Sequence, residues 1–506
     1  MTITSYGTGA YRAAKPNEFV STRAQFDDLQ RQLDTKQRST SYGDLGIDRR
    51  VSLDLNGKMA QIDSWLSGIE LTSVNLKLQT ASVENFTKLA NETRNDTRSN
   101  SYVPSASGRS SPQVLAEEKF KQTLDLLNIA VNGRYLFSGK TSDTQPTLGY
   151  NEIINGDGAG RDGLKQMIDE RRQADLGSGQ GRLTVGGAGT TATIAEEVPA
   201  QPYGFKIVGI TGSSAALATT FNPGPPADAS ANVASQPSAG DTVRIQLKLP
   251  DGTQEEVVLT ARATGTTGSN SDSFEIGVDA NATAANLRAS IGAALGKQAN
   301  TTLSAASSQV AAQEFFAGSP SNPPKRVPGP PFATATLPPS NTGAAATKTV
   351  IWYRGDDGSD SARNTATVQV DQGQTVGTGA RANEEAFRVG LAQFAIMSVE
   401  NFPAGDTNSQ ARYEAMAARV GEKLGFGGTT QKPAELITEF GSAQSALSSA
   451  KERHQSTKGY LNTTLASVEN VTTEEVATQI LSLQTQLQAS YQVTSMLSKL
   501  SLTNYL

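Results

Sequence analysis

Residues 55–90 decide the fold, and they read LNGKMAQ IDSWLSG IELTSVN LKLQTAS VENFTKL A. An apolar residue opens each group of seven without a slip, so one repeating position is occupied by Leu55, Ile62, Ile69, Leu76, Val83 and Ala90. The alternate seam position starts apolar and later becomes polar: Met59, Leu66, Ser73, Thr80 and Thr87. A strict seven-residue repeat sustained over this length predicts a coiled-coil seam rather than an ordinary surface helix.

The C-terminal part of the chain has the same periodicity. Apolar residues and one histidine recur at intervals of seven: Phe440, Leu447, His454, Leu461 and Val468. The partner positions are Leu436, Ala443 and Ala450. These residues predict a second long helix whose seam could pair with that of residues 55–90.

Both extremities carry a further apolar stripe. Near the N-terminus it consists of Phe19, Phe26, Leu29 and Leu33. Near the C-terminus it consists of Val476, Ile480, Leu483, Leu487, Val493, Met496, Leu497 and Leu500. Two N-terminal and two C-terminal stripes of similar length predict antiparallel pairs that bring both termini to one end of a rod.

The middle of the chain has a different composition, dense in Gly, Ala, Thr and Pro between residues 141 and 380. The alternating run at 243–249, the turn Pro250-Asp-Gly252 and the run at 257–260 predict a β-hairpin. Two further strands are predicted at 349–353 and 366–370, and helices within 382–399 and 413–424. We therefore predict a multi-domain, mainly α fold whose long coiled-coil-like terminal helices form a rod, with a β-containing (α+β) domain inserted between them.

Composition excludes several classes of function. The 506 residues contain no cysteine and a single histidine, and they include 44 basic against 49 acidic residues. Without cysteine there is no thiolate nucleophile and no zinc–sulfur site, and histidine is the usual base near neutral pH. A net charge of −5 argues against nucleic acid as a partner. No apolar run is long enough to span a membrane, and we expect export without a cleaved signal peptide.

Three local motifs are interpreted as structural rather than as ligand-binding or catalytic sites. Residues 158–163 match G-x-G-x-x-G, but the strand that a dinucleotide-binding unit needs before this motif is missing from the pattern. The carboxylates of Asp356, Asp357 and Asp360 do not have the spacing of a calcium loop. His454 lies at a seam position, where a polar residue can set the register of two helices. We predict no catalytic residue, no cofactor and no metal, and therefore a protein that is not an enzyme.

The terminal segments are predicted to need partners. One apolar stripe on one helix does not offset the conformational entropy of ordering that helix. The polar positions around the C-terminal stripe are Gln, Ser and Thr, which can be buried at an interface at a lower cost than charges. The predicted subunit-interface residues are Phe26, Leu29, Leu33, Ile480, Leu483, Leu487, Val493, Leu497 and Leu500. An intramolecular bundle with a polar outside is the alternative.

Three segments resemble the flagellin and hook-associated protein family. Residues 132–139, NGRYLFSG, resemble the segment that closes the second N-terminal helix in its hook-associated protein 3 branch. Residues 483–506, LQTQLQASYQVTSMLSKLSLTNYL, are similar to the C-terminus of that branch and of flagellins. Residues 465–472, LASVENVT, resemble the joint between the two C-terminal helices. The opening residues 7–16 differ from a typical flagellin start, which favours the hook-associated branch over flagellin.

The resemblance implies an extracellular structural subunit of the bacterial flagellum, exported by a type III apparatus and acting in motility. It implies self-assembly into a helical tube and contacts with the neighbouring junction protein, with flagellin and with an export chaperone that binds the C-terminal helix. It does not imply contact with nucleic acid or membrane. A hook–filament junction is the first expectation, a filament flagellin the second, and a secreted enzyme or adhesin carried at 141–380 the alternative of another class.

The expected domains follow from these assignments. Residues 1–44 and 472–506 are the terminal helices of an inner-tube domain, disordered in the monomer. Residues 45–140 and 425–471 form a helical rod domain. Residues 141–380 form a variable, β-rich outer insertion, which residues 381–424 link to the rod as a helical segment.

Overall fold

The computed structural model describes residues 8–99, 102–105 and 108–503, with side chains described from residue 20 to residue 496 of those ranges. The chain forms two compact units. The terminal unit comprises Met1–Leu71, Gln369–Thr375 and Ser445–Leu506, and the central unit comprises Thr72–Val368 and Val376–Gln444. Each unit therefore contains parts of the chain that are far apart in sequence.

Long helices dominate both ends of the chain. In chain order the α-helices are α1 (Thr8–Thr35), α2 (Arg49–Ser99), α3 (Ser111–Leu127), α4 (Tyr150–Asn155), α5 (Leu164–Leu176), α6 (Ala280–Gln298), α7 (Ser304–Ala317), α8 (Glu385–Val399), α9 (Ser409–Lys423), α10 (Pro433–Glu469) and α11 (Thr473–Thr503). At 1.5 Å per residue, the 51 residues of α2 extend over about 76 Å.

The predicted seam is buried at its first position along α2 and from Leu436 to His454 along α10, whereas Leu461 and Val468 are half-buried. All six residues of the seven-residue repeat in α2 are buried, and Val83, at 0% exposure, is the most enclosed of them. On α10 the buried positions include Leu436, Phe440, Leu447 and His454. The coiled-coil interpretation of the periodicity is therefore confirmed at the level of burial.

Within the terminal unit, α2 and α10 run antiparallel. Ser52 Oγ donates a hydrogen bond to Glu469, near the start of α2 and the end of α10. Further along, Lys458 Nζ lies 2.5 Å from Asp63 Oδ1. The rings of Trp65 and His454 are 5.0 Å apart. As residue numbers rise on α2 they fall on α10, which fixes both the direction and the register of the pair.

The helical part of the central unit is built around α8. Eleven of its residues are buried, and it contacts α3, α7 and α9. Phe86 of α2 packs edge-on to Phe387 of α8, with ring centroids 5.2 Å apart. Gly390 permits this approach, because a Cβ there would lie 2.4 Å from the Phe86 ring. A close contact between ring and backbone therefore depends on one glycine.

The strands of the chain are short. They are β1 (Ala130–Val131), β2 (Arg134–Tyr135), β3 (Leu183–Gly186), β4 (Thr191–Glu196), β5 (Lys206–Gly212), β6 (Leu217–Asn222), β7 (Asp228–Val233), β8 (Thr242–Lys248), β9 (Gln254–Arg262), β10 (Ser273–Glu275), β11 (Thr367–Asp371) and β12 (Gln374–Gly377). Two four-stranded sheets have the orders β10-β9-β8-β5 and β3-β4-β7-β6. Helix α6 contacts strands of both sheets, and all three share one hydrophobic core.

The predicted elements of the middle region are confirmed with one exception. Strands β8 and β9 form the expected antiparallel hairpin, β11 (Thr367–Asp371) corresponds to the strand predicted at 366–370, and α8 and α9 are the predicted helices. The strand predicted at 349–353 is wrong. Its backbone bonds go to two separate segments, since Val350 N–H donates to Asp162 while the Trp352 carbonyl accepts from Leu148. The apolar run there is buried without forming a sheet ladder.

The mainly α, multi-domain fold class is confirmed, with long helices and a separate part that contains sheets. The fold class could be predicted because the sequence repeats every seven residues at the two ends of the chain and every two residues in the middle. Such periods arise where one face of a helix or strand is buried and the other is exposed.

We expect Ile69→Ala to lower the free energy of unfolding by about 2–5 kcal/mol, because Ile69 is 1% exposed and its loss leaves a cavity in the seam. Leu71→Ala is the matched control, two residues further along α2 and 51% exposed, and should change it by less than about 0.5 kcal/mol. Urea unfolding followed by the helical circular dichroism signal measures both. Equal effects would show that the seam does not stabilise the helices.

Candidate assembly interface

Helices α1 and α11 are joined where one ends and the other begins. Gln37 and Asn470 form an antiparallel bridge. Arg38 N–H donates to the Glu469 carbonyl at 2.7 Å, and Val471 N–H donates to the Lys36 carbonyl at 3.1 Å. Lys36 has a left-handed φ of 58°, which ends α1. The bridge therefore sets α1 and α11 side by side in opposite directions, as the sequence predicted.

One face of α11 is covered within the chain. Helices α1 and α11 contact each other, and Val476 and Leu483 on α11 are buried. The remaining predicted residues on the two facing stripes are half-buried: Phe26, Leu29, Leu33, Ile480 and Leu487. At 100° per residue, positions 476, 480, 483 and 487 lie within one narrow sector of the helix. This sector forms the intrachain seam of the terminal unit.

A second apolar face of α11 remains exposed. Leu481 and Met496 are each 63% exposed and Val493 is 55% exposed. The interval between Leu487 and Val493 is six residues, which shifts the stripe away from the intrachain seam. Val493, Met496 and Leu500 are spaced by three and four, so their positions share one side of the helix. The sequence stripe is therefore two faces rather than one.

The structure distributes the nine predicted interface residues unevenly. Six of them lie on the facing stripes of α1 and α11, and Val493 lies on the exposed face. The side chains of Leu497 and Leu500, like that of Phe19, lie outside the described residues. Leu481 was not predicted from the sequence and Met496 was not predicted to lie at an interface, although the change of spacing after Leu487 indicates the second face.

The polar surface of α11 carries no charge over residues 476–498. Several hydroxyl groups are already satisfied inside the helix, since Thr478, Thr485 and Thr494 each donate to the carbonyl four residues earlier. The side chains of Gln484 and Gln488 are exposed. A long uncharged surface can be covered by another protein without burying an ion, which is the larger desolvation cost.

A β-hairpin is fastened to α10 in the terminal unit. Val370 of β11 is fully buried, and its carbonyl oxygen lies 2.6 Å from His454 Nε2. Arg453 lies 3.3 Å from Asp371. The backbone N–H of Gln372 is the main cause of the lowered pKa of the Asp371 carboxyl, and Arg453 and His454 add to it. His454 thus anchors the β11–β12 hairpin to α10, a contact that was not predicted from the sequence.

The glycine-rich motif at 158–163 and the aspartate cluster at 356–360 take part in local structure. Residues 158–163 follow helix α4 rather than a strand, which removes the context of a dinucleotide site. Asp356 pairs with Arg381 at 2.6 Å, Asp360 pairs with Lys140 at 2.5 Å, and Asp357 accepts the Ser321 N–H. Among the described residues no group of acidic or histidine side chains is arranged to hold a metal ion. No helix in the described part of the chain is long and apolar enough to cross a membrane.

One comparison with known proteins links this geometry to a family. The model of the bacterial flagellin C-terminal helical region matches residues 429–506, which contain α10 and α11. No curated protein and no solved structure matches the chain. Flagellins are structural, non-enzymatic proteins that are exported to the flagellum and self-assemble into a helical filament outside the cell. The similarity to flagellins covers 78 of the 506 residues and concerns the two C-terminal helices, α10 and α11.

Proposed function

We propose that this chain forms a hook-associated protein 3-like junction between hook and filament, assembling through its N- and C-terminal helices. The observation that carries the assembly role is the exposed apolar face of α11, with Leu481, Val493 and Met496, on a helix without charge over residues 476–498. Such a face is stabilised when a neighbouring subunit covers it. The intrachain seam orients this face by fixing α11 against α1.

The junction role is supported by residues 132–139. Asn132 and Gly133 have left-handed φ values of 51° and 76° and form the turn between β1 and β2. Gln79 of α2 donates to the Leu136 carbonyl at 3.0 Å, and Phe137 is fully buried beside Phe387. The segment that resembles the hook-associated branch is thus built into the central core. A filament flagellin remains the second candidate, favoured by the family match over residues 429–506.

The domain assignment belongs to the same proposal. Residues 1–44 and 472–506 form the inner-tube domain and become ordered on assembly, and residues 45–140 and 425–471 form the rod domain. Residues 141–380 form the outer insertion, and 381–424 connect it to the rod. The partners are other copies of the chain, the neighbouring junction protein, flagellin, and an export chaperone that binds the C-terminal helix before type III export.

The two faces of α11 predict different consequences of the same substitution. We expect Val493→Asp to leave the stability of the monomer unchanged, since Val493 is already exposed, and to abolish assembly by placing a charge in the interface. Gln484→Asp adds the same charge to the same helix at an exposed polar position and should assemble far better. Electron microscopy and motility of complemented cells measure assembly, and circular dichroism measures folding. Equal assembly of the two variants would contradict the interface assignment.

A strain that lacks this chain separates the junction role from the filament role. We expect electron micrographs to show hooks without filaments and flagellin released into the medium, because filament subunits would have no junction to assemble on. Complementation with the full chain should restore filaments, whereas a chain without residues 472–506 should not. Normal filaments in the deletion strain would exclude the junction role, and abundant intracellular flagellin with no release would favour an export defect instead.

A further inference from the structure

Helix α2 begins with two arginines, Arg49 and Arg50, that stand where the helix itself disfavours positive charge. Both side chains are exposed, and neither makes an ion pair with any described residue. The first turn of α2 contains no acidic residue. Because the N-terminus of a helix carries a partial positive charge, cations in the first turn destabilise the helix. The position of this pair therefore calls for a partner of opposite charge.

The carboxylates on either side of the two arginines already have partners. Asp48 lies 3.3 Å from Arg38, and Asp54 lies 2.8 Å from Lys58. The start of α2 thus has a net positive charge although acidic residues are close in sequence. Within the described residues nothing neutralises this charge.

The segment before α2 is ordered without burying any of its side chains. The 3-10 helix Tyr42–Asp48 contains no buried residue, although it includes Tyr42, Leu45 and Ile47. Ile47 is 93% exposed and Tyr42 is 48% exposed. Removing such side chains from water is favourable. This 3-10 helix therefore suits a surface that covers it and that also meets the charge of the adjoining arginines.

Two glutamates at the start of α11 are also unpaired. Glu474 and Glu475 are exposed, and neither forms an ion pair with any described residue. They follow Glu469, which accepts a hydrogen bond from the Ser52 hydroxyl, by five and six residues. Ser52 in turn follows Arg50 by two residues. The positive and the negative pair thus lie near one level of the terminal unit, yet no salt bridge joins them within the chain.

We propose that Arg49 and Arg50 of one copy bind Glu474 and Glu475 of a neighbouring copy, and that the 3-10 helix Tyr42–Asp48 packs against the same neighbour. A second copy is the partner because one chain carries both halves of the complementary charge. A contact between two different surfaces of identical chains repeats from copy to copy and so builds a ring or a helix. This inference rests on the proposed assembly through the terminal helices and adds a second contact to it.

Two charge-reversed chains test the contact, because each should fail alone and both should assemble together. One carries Arg49→Glu with Arg50→Glu, and the other carries Glu474→Arg with Glu475→Arg. In either chain alone like charges face each other at every contact, which should raise the concentration needed for assembly more than about tenfold. In an equal mixture, contacts between unlike chains join opposite charges, so assembly should recover. Ion pairs within one chain would stay repulsive in both variants and could not give this recovery.

Sedimentation and electron microscopy of the purified full-length chains measure assembly, and circular dichroism measures folding. The matched control, Arg98→Glu with Arg134→Glu, changes the charge equally at two exposed arginines and should assemble like the parent. Parent-like assembly of the first variant alone, or no recovery in a mixture of two folded variants, would overturn the proposal. A parent chain that does not assemble would contradict the proposed function, and this contact with it.

The absence of cysteine permits a second measurement that does not depend on the reversed variants. In assembled chains with Arg50→Cys and Glu475→Cys, a short bis-maleimide should link copies into a ladder of multimers. Chains with either substitution alone should remain monomeric. Cross-links confined to single chains, or an equal ladder from Arg98→Cys with Glu475→Cys, would contradict the proposed contact.

Discussion

The antiparallel pairing of the two ends of the chain is the interaction on which the terminal unit depends. Two backbone hydrogen bonds between residues 36–38 and 469–471 place the end of α1 beside the start of α11. The seam of α2 and α10 fixes the same direction through Ser52–Glu469 and Asp63–Lys458. Four helices from opposite ends of the sequence are thereby held in one register. The direction in which α11 presents its exposed face follows from that register.

The pairing with α1 buries only one face of α11. Its intrachain seam buries Val476 and Leu483, while Leu481, Val493 and Met496 keep most of their surface in contact with water. Helix propensity does not compensate, because most of the stability of a helix in a protein comes from packing of its apolar face. Covering the exposed face removes apolar area from water and immobilises few charged groups. The helix is therefore folded against its own chain on one side and suited to a neighbour on another.

The sequence allowed the seam, the fold class and the β8–β9 hairpin to be predicted, because each depends on a period that burial enforces. Leu55 and Val83 could be placed in the seam by counting sevens, and α8 could be recognised from Phe387, Leu391 and Phe394. The strand at 349–353 could not be judged, because an apolar run does not reveal where its backbone groups find partners. The contact between His454 and Val370 could not be predicted either, since it joins residues 84 positions apart. The division of α11 into two faces was visible only as the six-residue interval after Leu487.

Amide hydrogen exchange of the full-length monomer tests most directly whether the terminal helices depend on neighbours. We predict that the amides of α11 exchange much faster than those of residues 72–90 of α2, and that the α11 amides become protected when the chain is assembled. Protection should increase most around Val493 and Met496, on the exposed face. Full protection of α11 in the monomer, unchanged on assembly, would contradict the claim that a neighbouring subunit completes this helix.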